Sequence, residues 1–190
     1  MTELATTTLA SLWLPILLSA VFVFIASSII HMTPLWHKNE YPGLPDEEAA
    51  RAAIGQLNVP PGDYMVPRCN SMKEMNAPEF KKKLQDGPRW VITVLPNGEV
   101  AMGSSLVQWF LFTIVVALFA AYVSSHALAP GAHYHEVFRF IGATAFMAYA
   151  FGQVPQSIWF KRRWSTTLEH VLDGLIYALI TAGTFGWLWP

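Results

Sequence analysis

Three consecutive cations, Lys161-Arg162-Arg163, stand between Trp159 and Trp164 and separate two long apolar runs, residues 137–160 and 168–189. Each run is close to the roughly 20 residues that a helix needs to cross the hydrocarbon core of a bilayer. A connection so short and so basic favours the cytoplasmic side, because translocating clustered Lys and Arg is disfavoured. Every other segment can be oriented by counting back from that turn. Composition supports the same class: 53% of the residues are hydrophobic, 13% are charged, and the mean hydropathy is +0.34. That balance belongs to an integral membrane chain rather than to a soluble globule.

The net charge of −1 conceals a strong sorting, since eleven of the twelve Lys and Arg lie in residues 38–89 or 161–163 and only Arg139 lies elsewhere. Acids accompany the bases in residues 38–89, so the pattern marks a membrane side and excludes a nucleic-acid footprint, which needs basic residues without intervening acids. Cys69 is the single cysteine. It cannot form an internal disulfide, and no activating neighbour marks it as a nucleophile.

Residues 1–8 carry Glu3 and no basic residue, unlike the positive start of a secretory signal, so residues 9–30 are predicted as a retained transmembrane helix with Pro15 in its outer third, where a kink is tolerated if neighbouring helices satisfy the freed carbonyl. Residues 31–103 form a polar loop predicted as a small cytoplasmic α+β region. Within it, Asp46-Glu47-Glu48 opens a short helix, with acids where the helix dipole favours them. Pro60-Pro61-Gly62-Asp63 stops regular structure, and Asn76 with Glu79 three residues on predicts an N-cap. Residues 90–95 are β-branched and aromatic, and Pro96-Asn97-Gly98 then predicts a hairpin with residues 99–102. Residues 104–126 give the second membrane helix, and Pro130-Gly131 breaks it before the third. The whole is an all-α membrane protein with four transmembrane helices, organised as residues 1–30, 31–103 and 104–190, with both termini outside. Trp13 and Trp187 at the outer face, and Trp36, Trp109, Trp159 and Trp164 at the inner one, form the expected aromatic belt.

Small residues recur every fourth position at Thr144, Ala148 and Gly152 on the third helix and at Gly174, Ala178, Ala182 and Gly186 on the fourth. Such stripes let helix backbones approach closely in lipid, so the last two helices are predicted to pack as a tight hairpin.

Chemistry can be carried at either membrane face. At the inner boundary stand His31, His37, His170 and Asp173, with His170 and Asp173 one helical turn apart and Tyr177 and Thr181 extending the same stripe. An intramembrane Asp is costly enough to suggest a proton or cation path, so His170 and Asp173 are the candidate catalytic residues. The plainer expectation is that Asp173 reaches the interface or pairs with the basic turn. At the outer boundary His126, His133, His135 and Glu136 make a chemically reasonable zinc or copper set, although their spacing matches no specific metal motif. Arg139 is expected to pair with Glu136 or to extend outward. Histidines at both faces also raise a two-haem arrangement, against which their position at helix ends argues. No cofactor is named by any motif.

The segments Pro60-Pro61-Gly62-Asp63-Tyr64, Met72-Lys73-Glu74-Met75 with Pro78-Glu79-Phe80, and Asp173-Gly174-Leu175 through Gly186-Trp187-Leu188-Trp189-Pro190 resemble those of a bacterial family of small, uncharacterised multi-pass membrane proteins. The resemblance implies an inner-membrane location and assigns no catalytic residue. Without a nucleotide loop, HExxH, hydrolase elbow or multi-cysteine centre, the expected function is an accessory, assembly or scaffolding subunit of a membrane complex. Its partners are then the lipid bilayer and other membrane proteins or further copies of itself. The alternative is a membrane-embedded enzyme or transporter using the interfacial His and Asp groups or a bound metal.

Overall fold

The computed structural model describes residues 7–33, 36–99 and 101–190. In chain order its regular elements are α1 (Trp13–Met32), α2 (Glu47–Gln56), β1 (Gly62–Val66), α3 (Met72–Asn76), α4 (Pro78–Asp86), β2 (Trp90–Val94), α5 (Met102–Ala127), α6 (Tyr134–Ala150), α7 (Val154–Phe160) and α8 (Trp164–Leu188). They fall into two compact units, Met1–Tyr41 with Ala101–Pro190, and Pro42–Val100. The polar stretch after α1 is thereby divided. Trp36 to Tyr41 belong with the long helices, and the smaller unit begins only at Pro42 rather than at residue 31.

Four helical stretches are long and apolar enough to cross a membrane: Leu9–Met32, Met102–Ala127, Tyr134–Phe160 and Trp164–Leu188. With 24 to 27 residues each, they extend roughly 36–40 Å at the α-helical rise, against about 30 Å of hydrocarbon. The first starts with a 3-10 turn, Leu9–Leu12, before α1. Pro15 consequently sits in the opening turn of α1, where its missing N–H costs nothing and no kink is required. The third is broken instead: a 3-10 turn, Phe151–Gln153, joins α6 to α7. Pro155 at the start of α7 explains the break, because it cannot donate to the carbonyl four residues earlier.

Several serine and threonine hydroxyls buried in these helices return to their own backbone, as Thr181 does to the Tyr177 carbonyl at 2.8 Å and Thr113 to that of Phe110 at 2.7 Å, while Ser157 and Thr167 bond each other at 2.6 Å. Local satisfaction of this kind is what lets polar residues sit among apolar ones. Two apolar clusters fill the bundle. One gathers Leu12, Ile16, Ala120, Val137, Ile141 and Phe185, and the other Val23, Ile30, Val116, Ala145, Tyr149 and Tyr177.

The tightest pairing joins α6 to α8. A Cβ built on Gly174 would stand 2.9 Å from the Cβ of Ala150 and 3.1 Å from its backbone nitrogen, so the two backbones approach as closely as glycine permits. The expected stripe on α8 is the packed one, with Gly174, Ala178 and Ala182 all buried. On the partner helix the packed face is shifted, since Ile141, Ala145 and Tyr149 are buried while Ala148 and Gly152 are exposed. Both registers repeat small or apolar residues at helical spacing, so spacing alone could not separate them.

The smaller unit holds one antiparallel pair, β1 with β2, in the register Gly62↔Val94 to Val66↔Trp90. Thr93 Oγ1 donates across it to Asp63 Oδ1 at 2.6 Å. This corrects the expected hairpin: residues 90–94 form a strand, but their partner precedes them in sequence, in the region where regular structure was expected to stop. Gly98 does take a turn conformation with φ of 129°, yet Met102 already begins α5; Val100 lies outside the described residues. Met102, the last residue of the expected second strand, is thereby helical. The expected acids, Glu47 and Glu48, stand in the first turn of α2, and Asp46 caps it through the Ala49 N–H; the helix expected to start from an Asn76 cap is α4, where Ala77 is the N-cap and makes no side-chain cap bond. Ser71 caps α3 by accepting from the Glu74 N–H, and Glu74 accepts from the Asn70 N–H, while Asn76 ends that helix.

Gly174→Ala should lower the unfolding free energy by about 1–3 kcal/mol through overpacking against the Ala150 backbone, despite the helix propensity it gains. Gly152→Ala, where a Cβ meets nothing within 4 Å, should cost little. Thermal unfolding of both variants in detergent measures the difference.

Candidate functional site

The end of α1 and the start of α8 come together through a short segment. After Trp36 the chain makes a single 3-10 turn, His37–Asn39, whose carbonyl at His37 accepts from the Glu40 N–H at 3.1 Å. On the other side Lys161 adopts the left-handed conformation, with φ of 60°, and reverses the chain between α7 and α8. The reversal points the basic turn at the segment. Arg162 donates to Glu40 Oε1 and, at 3.3 Å, to Gln153 Oε1, and Arg163 donates to the carbonyls of Asn39 and Glu40.

Asp173, one turn beyond His170 on α8, is 2% exposed. Its two oxygens are separately engaged: Oδ1 accepts from Trp36 Nε1 at 2.8 Å, and Oδ2 lies 2.7 Å from His37 Nε2. His37 Nδ1 is 3.2 Å from Glu40 Oε2, and His170 Nε2 is 2.9 Å from Glu40 Oε1. The chain of contacts therefore runs from Trp36 through Asp173, His37 and Glu40 to His170 and Arg162. Because His37 faces a carboxylate oxygen from each ring nitrogen, both contacts are hydrogen bonds only when each nitrogen carries a hydrogen. Burial pushes the Glu40 carboxyl up, but hydrogen bonding and charge from His170, the Arg162 guanidinium and a hydrogen bond from His37 outweigh it and hold it below its ordinary value.

His31, in the last turn of α1, stacks on His37 with ring centroids 4.6 Å apart and planes 14° from parallel. Its Nδ1 lies 2.9 Å from the Ser27 carbonyl oxygen. A carbonyl can only accept, so the neutral ring carries its hydrogen on Nδ1 and leaves a lone pair on Nε2. Two sets of ligand atoms lie within 4.8 Å of one another, those of His31, His37 and Asp173 and those of His37, Glu40 and His170. Imidazole and carboxylate in such sets can hold a cation or pass a proton.

All four residues expected at the inner boundary, His31, His37, His170 and Asp173, meet in this cluster. The expected partner of Asp173 is corrected: it pairs with His37 and Trp36, while the basic turn engages Glu40. Asp173 is a buried residue whose nearest cation-bearing side chains are imidazoles, and Arg162 is taken by a carboxylate closer to the turn. Glu40 and the indole of Trp36 are the members that the sequence reading missed. Spacing of three from His37 was the available signal for Glu40. Further along α8, the Tyr177 hydroxyl is buried without a hydrogen-bond partner among the described residues.

The outer set does not converge. His126 Nδ1 bonds the Tyr122 carbonyl at 2.8 Å, and His133 caps α6 through the His135 N–H at 3.4 Å. Their rings at His133 and His135 lie 5.3 Å apart, Glu136 is exposed, and among the described residues His126, His133, His135 and Glu136 do not form a ligand group. Nor is Arg139 paired with Glu136 among those residues; it is exposed. The reason is local: the His133 ring is taken up in the cap of α6, and the His126 ring is tied to the Tyr122 carbonyl of its own helix, α5. At the inner face His37 lies 4.6 Å from His31 and 5.2 Å from His170 between ring centroids, too close for a porphyrin to lie between either pair.

No protein-family model, curated protein or solved structure matches the chain.

Glu40→Ala should destabilise the fold by about 1–3 kcal/mol, because it strips the acceptor from Arg162, His170 and His37 at a site only 13% exposed. Glu48→Ala, which removes the exposed 3.4 Å pair with Arg51, should change stability negligibly. Melting temperatures of the two variants in one detergent give the comparison.

Proposed function

We propose that this is a multi-pass protein of a bacterial inner membrane that works through the centre formed by His31, His37, Glu40, His170 and Asp173, as a membrane-embedded enzyme or transporter that handles a cation. The observation that carries this reading is the burial of Asp173 in a helix apolar enough to span a membrane, compensated by a histidine and an indole rather than by a permanent cation. Holding the segment after α1 does not by itself call for a charge, since a neutral acceptor at the same position avoids the cost of burying a carboxylate. The centre lies where the first and last spanning helices meet the basic turn, which places it at the cytoplasmic interface in this reading. Eight Lys and Arg in residues 38–89, with three more at 161–163, support an orientation that leaves both termini in the periplasm.

The reading as an accessory subunit has one observation in its favour. Ala148 and Gly152 on the third spanning stretch are exposed, and nothing lies within 4 Å of a Cβ at Gly152. A small-residue face open to lipid fits a helix of another protein or of a second copy. Purification in mild detergent discriminates, because a monodisperse monomer without partners counts against it.

Asp173→Asn keeps the shape of the side chain and the Trp36 contact but removes the charge. It should assemble normally and lose at least tenfold in cation flux or enzymatic output of reconstituted vesicles, and should fail to complement a deletion strain. Full activity in a normally assembled Asp173→Asn protein overturns the proposal. Alkaline phosphatase fused after residue 70 should be inactive and after residue 132 active; the reverse result overturns the orientation.

A further inference from the structure

We infer that His31, His37 and Asp173 bind one divalent first-row transition metal ion of the zinc class. This deepens the reading of the polar centre as the working part of the molecule and rests on it. The ligand atoms of the three residues already lie within 4.8 Å of one another. A tetrahedral zinc site with donors at about 2.0–2.2 Å needs them roughly 3.4 Å apart, so the widest separation must contract by up to about 1.4 Å while His37 Nε2 and Asp173 Oδ2, now 2.7 Å apart, open to admit the ion. Two imidazoles and one carboxylate suit zinc, manganese or iron in preference to calcium or magnesium, which take oxygen donors. Three protein ligands leave a fourth position for water or substrate, the arrangement of catalytic rather than closed structural sites.

For His31 and Asp173 a neighbour takes one polar atom and leaves the other free for an ion. The Ser27 carbonyl holds the His31 Nδ1 hydrogen at 2.9 Å, which leaves Nε2 as the ligand atom of that ring. Trp36 holds Asp173 Oδ1 at 2.8 Å and leaves Oδ2 for the ion. In its place His37 Nε2 now stands, 2.7 Å away, so the ion would substitute for the hydrogen between those two atoms. Lone pairs of imidazole lie in the ring plane, and two rings only 14° from parallel cannot aim at one point. His31 is the exposed member of the stack, so it is the ring that turns to complete the site.

The second set, His37 with Glu40 and His170, is closed to a cation. Arg162 Nη2 contacts Glu40 Oε1 and lies 3.1 Å from His170 Nε2, so a guanidinium already occupies the space in which an ion would sit. On the His31 side no arginine or lysine contacts Asp173 among the described residues. Binding is therefore directed to one side of His37 by a fixed charge on the other.

Chelator-stripped protein in detergent, titrated with Co²⁺ and then back-titrated with Zn²⁺, tests the assignment. One equivalent of Co²⁺ per chain should bind with the visible absorption of a tetrahedral site and be displaced by Zn²⁺. His31→Ala, at an exposed position that leaves the Asp173 contacts intact, should weaken binding at least tenfold without lowering the melting temperature, and Asp173→Asn should do the same. His133→Ala with His135→Ala should leave binding unchanged. The inference is overturned by the absence of stoichiometric binding at 100-fold excess Co²⁺, by unchanged binding in His31→Ala, or by loss of binding in the His133 and His135 variant. Its failure is separable from that of the functional reading: wild-type protein that binds no ion while Asp173→Asn inactivates it refutes the metal alone. An ion bound by wild type together with full activity in Asp173→Asn refutes the functional reading alone.

Discussion

A carboxylate taken out of water inside an apolar helix bundle must be matched by donors, and Asp173 obtains them from outside its own helix. Its two oxygens reach across to Trp36 and His37, which lie beyond the end of α1, more than 130 residues earlier in the chain. That requirement decides what the segment after α1 does. Trp36 packs against the apolar cluster of Val23, Ile30 and Tyr177, and the buried acceptor on α8 adds the hydrogen bonds that hold Trp36 and His37 in one arrangement against the helices. Once it is pinned, Glu40 is delivered to Arg162 and His170, and Arg163 closes on the neighbouring carbonyls. One desolvated charge thus organises five polar side chains around it.

Close backbone packing provides the other half of the arrangement. Gly174 follows Asp173 directly, and its contact with Ala150 sets the depth at which α8 lies against α6. The absence of a side chain at one position and the presence of a charge at the next divide the helix face by face: the glycine seals against a neighbouring helix, and the acid turns toward the segment after α1. In lipid, where apolar burial alone does not drive helices together, shape and hydrogen bonding of this sort are what distinguish one packing from another.

Much of this could be read from the residues. Hydropathy and charge gave four long helices, and the basic turn, the inner histidines and Asp173 were recognisable as a group because helix ends at one face are brought together by topology alone. What could not be read was pairing. Residues 90–94 were visibly strand-like, yet the nearby Pro96-Asn97-Gly98 turn pointed to a partner downstream, whereas the actual partner, Gly62–Val66, sits behind two prolines. Local turn chemistry says that the chain bends, not what it bends toward. Glu40 escaped for a related reason: one acid among several in a polar stretch carries no mark of burial until the fold places it against an arginine. The outer histidines show the reverse, a promising set by composition in which His126 is taken by a backbone carbonyl and His133 by the cap of α6.

Ser27 has a double attachment that ties the centre to α5. Its backbone carbonyl holds the His31 ring, and its hydroxyl receives the indole N–H of Trp109 on α5 at 2.8 Å. A rotation of α1 by one residue, about 100°, would carry Ser27 away from Trp109 and swing His31 off His37 in the same motion. The axial angle of the first helix and the position of the exposed imidazole of the centre are therefore a single mechanical coordinate, read out at His31 and held one turn earlier by a tryptophan.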